Sequence, residues 1–145
     1  MWEDDYILRA VRQLADAIAR IAGLNHRGDH DQALAEAEQA WGDLLDLPAG
    51  LAGAVDSRTL AGMLREPARI RIAAQLAREH ARALTGKGDL RGAAVQSRRA
   101  LELLLEARAL GATEPGDEAA IRELAGVVPL DALAPRYQAM QAGIT

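Results

Sequence analysis

Arg27-Gly28-Asp29-His30-Asp31-Gln32-Ala33 returns sixty residues downstream as Lys87-Gly88-Asp89-Leu90-Arg91-Gly92-Ala93. The match extends in both directions. Ala17 and Leu24 align with Ala77 and Leu84, and Ala40 and Leu44-Leu45 align with Ala100 and Leu104-Leu105. Each copy reads as helix, tight turn, helix. Glycine enters the left-handed region without a Cβ penalty and so ends the first helix. The aspartate after it caps the second by accepting from a free backbone N–H. Alanines at fixed turns let two antiparallel helices approach to about 8–10 Å. The expected architecture is a single domain over residues 1–145. It comprises one hairpin over 5–45, a connecting loop and short helix over 46–66, a second hairpin over 67–110, and a C-terminal helical cap over 117–142.

Composition points to the same all-α class. Alanine supplies 32 of 145 residues and leucine 21, whereas Val, Ile and Thr together supply 16, aromatics four and phenylalanine none. Ala and Leu head the helix scale, while strands favour β-branched and aromatic side chains. Alanine offers little area to bury, so the core is expected to be thin. The absence of cysteine removes disulfides, thiolate metal sites and cysteine nucleophiles. The start Met1-Trp2-Glu3-Asp4-Asp5 is acidic where a secretory leader is basic. No apolar run reaches the roughly 18 residues of a membrane span. A soluble, cytoplasmic protein is expected, with no membrane contact, and sixteen arginines against one lysine suggest a bacterial source.

The net charge of −4 hides segregation along the chain. Residues 28–57 carry seven acids and no base, while residues 58–108 carry eleven bases against five acids. An acidic helix lying beside a basic one is the expected consequence. Nucleic acid is not an expected partner, because the arginines lack interleaved aromatics and the acidic half repels phosphate.

Periodicity places the helices. Ile7, Val11, Leu14, Ile18 and Ile21 are spaced 4, 3, 4 and 3, a heptad stripe for a first helix that ends between Gly23 and Gly28. A second helix runs from Asp29 or His30 to about Leu45, with Trp41 in the core against the first. Pro48 and Gly50 then break the chain, with Leu47, Leu51 and Val55 as apolar anchors. A short helix follows from Asp56 or Ser57, and Pro67 opens a fourth helix with Ile70, Ala73, Leu76, Ala77, Ala81 and Leu84 inward. A fifth spans about Leu90 to Leu110; shorter ones cover about 117–125 and 134–141.

With Gly28, Ala33 and Ala40 matched by Gly88, Ala93 and Ala100, the chain resembles a tetratricopeptide repeat. It departs from that pattern in carrying Ala17 and Ala77 where an aromatic is common, in lacking the closing proline, and in stretching the usual 34-residue period to sixty. The opening Asp5-Tyr6-Ile7 also resembles a family of short, uncharacterised bacterial proteins described as tetratricopeptide-like. These resemblances imply a helical scaffold and no reaction.

Catalytic constellations are missing from the sequence: it has no phosphate-cradling glycine loop, no nucleophile elbow and no paired carboxylates set against an obvious cleft. No cofactor is expected. His26 and His30 are four apart, but Gly28 interrupts the helix that would align them; with His80 they form the candidate set for a metal-binding or enzymatic alternative. The favoured function is a non-catalytic protein-interaction or scaffold module. Its concave face would present Arg12, Arg20, Arg71, Arg78 and Arg82 to an acidic segment or a C-terminus. Two hairpins fall short of the three repeats that usually stabilise a solenoid. A homodimer is therefore expected, with Trp2, Tyr6, Ile7 and Val11 as candidate self-association residues. A structural subunit assembling through its charge-segregated halves is a further alternative.

Overall fold

The computed structural model describes residues 2–46, 52–111 and 114–143; the side chains of residues 2–4 and 52 fall outside that description. The anchors expected at Leu47 and Leu51, with Pro48 and Gly50, thus lie outside the described residues. Among the described residues the protein is all-helical, with seven α-helices and no strand. They are α1 (Trp2–His26), α2 (His30–Leu45), α3 (Ser57–Leu64), α4 (Pro67–Gly86), α5 (Leu90–Ala109), α6 (Asp117–Ala125) and α7 (Pro135–Ala142). Short 3-10 turns at Ala52–Ala54 and Leu130–Ala132 complete the order.

The two glycine turns have the same backbone. Gly28 and Gly88 sit at φ +80° and +82°. Asp29 N–H donates to Leu24 O at 2.9 Å and Gly28 N–H to Asn25 O at 3.1 Å; Asp89 N–H donates to Leu84 O at 2.9 Å and Gly88 N–H to Thr85 O at 3.0 Å. This paired closure satisfies carbonyls that a helix end leaves open. Each aspartate then caps the following helix, Asp29 Oδ1 accepting from Gln32 N at 3.4 Å and Asp89 Oδ1 from Gly92 N at 2.9 Å.

These turns lie side by side. Lys87 pairs with Asp31, and the His30 ring lies so close to Gly86 that a Cβ there would sit 2.2 Å from its Cγ. The glycine that closes α4 thus admits the histidine that opens α2.

Helix α4 is the hub, packed against α1, α2, α3 and α5. It buries Ile70, Ile72, Ala73, Ala74, Leu76, Ala77, His80, Ala81 and Ala83. A helix walled in on several sides shows no single apolar stripe, which is why periodicity assigned it one inward face and missed Ile72, Ala74 and Ala83. The alanines keep the spacing short. Larger side chains fill the layer beyond them, with Ile21, Leu60, Leu64, Leu101, Leu103, Leu105 and Ile121 fully buried.

Helices α6 and α7 cap α5 through buried charge. Arg71 Nε lies 3.2 Å from both carboxylate oxygens of Asp117, the first residue of α6. Glu106 on α5 holds the α7 start, accepting from Arg136 Nη2 at 2.7 Å and Tyr137 Oη at 2.8 Å. Burial and that bond to Glu106 push the Tyr137 hydroxyl well above the ordinary tyrosine range.

A candidate interaction groove between the first two helices

Helix α1 has 25 residues and α2 has 16. The three-residue turn sets them side by side, and Arg20 Nε reaches Glu36 at 3.8 Å across the pair. The nine-residue difference leaves the start of α1 standing beyond α2 by about 13 Å at 1.5 Å per residue. The heptad stripe continues onto this overhang and loses its cover there. Ile21, Ile18 and Leu14 are buried, Val11 and Ile7 only half so, and Tyr6 is 74% exposed.

A groove of about 640 Å³ follows this junction. Ile7, Val11 and Leu14 of α1 form one wall, Ala40, Leu44 and Leu45 of α2 the other, and Arg69 and Ile72 of α4 line it as well. Charge is divided across it: Arg20 belongs to the α1 side, while Glu36, Asp43 and Asp46 edge the α2 side. Three of the residues expected to mediate self-association, Tyr6, Ile7 and Val11, line this one groove together with Arg20. The Trp2 side chain lies outside the described residues.

The five arginines expected on one face go to different places. Arg12 and Arg20 are exposed on α1. Arg71 is drawn in against Asp117, Arg78 Nη2 lies 2.9 Å from Glu123 Oε2, and Arg82 pairs with Glu79. In this way α4 uses Arg71 and Arg78 to fasten α6.

The histidines also separate by role. His26 is exposed at the end of α1. His30 donates from Nδ1 to Asn25 Oδ1 at 3.1 Å, and Asn25 in turn donates to Glu79 O at 3.0 Å. His80 is buried and accepts at Nδ1 from Trp41 Nε1 at 3.1 Å. That bond orients Trp41 toward α4, where the sequence reading set it against the first helix. Above the indole lies Arg99, its Cζ 5.7 Å from the ring centroid. Burial, reinforced by the Arg99 charge, pulls the His80 pKa down to about 4, so the imidazole is neutral at pH 7. Among the described residues no group of three or more His, Asp or Glu side chains is placed to hold a metal ion. No described helix is long and apolar enough to cross a membrane.

No protein-family model matches the chain, and searches of curated proteins and solved structures likewise find no significant match.

Proposed function

We propose that this chain is a non-catalytic protein-interaction module of two tetratricopeptide-like helical hairpins, α1–α2 and α4–α5. Its docking face is the groove beside the α1 overhang, and its first partner is a second copy of the chain. The observation that carries the reading is the apolar stripe of α1 running out from under α2, with Tyr6 exposed at its edge. Aromatic and aliphatic side chains around a concavity are the usual anchors of a protein interface. The repeated Gly-Asp turn, with one backbone geometry in both copies, supports the hairpin reading.

Sedimentation equilibrium over a wide concentration range tests it. A concentration-dependent dimer is expected, and Tyr6→Asp with Ile7→Asp should weaken it by about tenfold or more while circular dichroism stays helical. Wild-type protein that stays monomeric throughout would remove the second copy as partner. A dimer loosened by salt and indifferent to both substitutions would shift the interface to the charged halves.

A further inference from the structure

A second cavity, sharing no residue with the groove, lies between the start of α3, the middle of α5 and the start of α7. Its volume is about 530 Å³, within the roughly 300–1,000 Å³ range of small-ligand sites. Four arginines line it, Arg58, Arg98, Arg99 and Arg136, against the carboxylates of Asp56 and Glu102.

The carboxylates are already engaged. Asp56 Oδ1 accepts from Thr59 N at 2.7 Å, and Glu102 Oε1 accepts from Ser57 Oγ at 2.7 Å. Glu106, behind the cavity, holds Arg136. Arg99 donates to Val55 O and covers Trp41. Arg58 and Arg98 make no hydrogen bond or ion pair among the described residues, although the Arg58 charge is felt by Asp56. The arginines at the cavity therefore exceed these three carboxylates by one charge, and the two unpaired guanidiniums are the neighbours of Ser57 and Arg99 in sequence. Burial chiefly disfavours the charged form of Arg99, with Glu102 opposing that and Arg98 adding to it. Val55, Val95 and Ala134 supply apolar wall beside Ser57 and Tyr137, whose hydroxyls are turned to Glu102 and Glu106.

We propose that this cleft binds a small organic oxyanion, a phosphomonoester or a carboxylate, with Arg58 and Arg98 gripping the charged group and the valines receiving its apolar body. Guanidinium forks match both oxyanions in geometry, donating two parallel N–H bonds to oxygens that lie side by side. The apolar walls favour an organic anion over a bare ion. Arg99 connects the site to the Trp41 indole.

Calorimetric titration with phenyl phosphate and with benzoate, set against phenol and inorganic phosphate, tests the assignment. At least one aryl anion should saturate and bind about tenfold or more tightly than phenol or inorganic phosphate. Which of the two does so identifies the oxyanion. Binding should also shift the Trp41 indole N–H resonance. Arg58→Ala with Arg98→Ala should weaken binding about tenfold or more with the thermal midpoint preserved, whereas Arg9→Ala with Arg91→Ala removes the same charge elsewhere and should leave it unchanged. The proposal is overturned if neither aryl anion saturates, if inorganic phosphate or phenol binds as well as the tighter aryl anion, or if the Arg58/Arg98 double variant binds as the wild type does.

Discussion

His80 accepts a hydrogen bond from Trp41 of one helix and feels the Arg99 charge of another, and both neighbours favour its neutral form. Its unfolded pKa is the ordinary 6.5 and its folded value about 4. Below pH 6.5 the unfolded chain therefore binds the proton that the folded chain refuses, and stability is full above pH 6.5 and falls as the pH is lowered toward 4. A gap of that size corresponds to about 3 kcal/mol. His80→Gln retains an acceptor without the titration, so urea denaturation from pH 7 to pH 4 should show a shallower loss for the variant; identical slopes would refute the role. The glycines allow a matched comparison. Gly28 and Gly88 hold positive φ, so alanine at either should cost about 1 kcal/mol. Gly62, inside α3 with open space around its Cα, should tolerate alanine with a gain of about 0.5–1 kcal/mol in the same melts. Both turn glycines were legible in the sequence, because left-handed backbone has a short list of occupants. The Trp41–His80–Arg99 stack was not, since its members are 39 and 19 positions apart and no local pattern joins them.

Helices α1 to α7 were legible to within a few residues, because proline and glycine punctuate most of their ends and caps follow known chemistry. How they attach to one another was less so. A C-terminal helical cap over 117–142 was foreseen, yet its placement depends on Arg71 and Asp117, 46 positions apart and both largely withdrawn from water. Removing Asp117 takes a well-placed carboxylate from a largely buried guanidinium, which keeps Glu114 at 3.9 Å. Asp117→Ala should cost about 3 kcal/mol by chemical denaturation and lower hydrogen-exchange protection across α6 before α4. Loss confined to the few tenths typical of a surface ion pair would show that α6 is held by Ile121, Leu124 and its other ion pairs rather than by Asp117. The same arginine was expected to face a partner. Counting charges along a helix identifies guanidiniums; it does not say which of them a later helix will claim.

Across the whole molecule, the segregated charge resolves differently from its linear order. The acidic stretch meets the basic one at Lys87 and Asp31, but Arg71, Arg78 and Arg108 of the basic stretch turn to Asp117, Glu123 and Glu118 of the C-terminal helices. Much of the acid on α2 is therefore left facing solvent, including Glu38, Asp43 and Asp46. The heptad stripe named Ile7 and Val11 in advance, while the groove wall from α2 and α4 required knowing how those helices pack against α1. One further property follows from the second glycine turn. Lys87 is the chain's single lysine, and the bond after it opens the Gly88 turn between α4 and α5. A lysine-specific protease thus has one site, placed where the backbone reverses outside both helices. Scission there divides the protein into pieces of 87 and 58 residues that meet along its most extensive helix contact. The hub helix ends one piece and its closest neighbour begins the other, which makes the fold a ready two-fragment complementation pair.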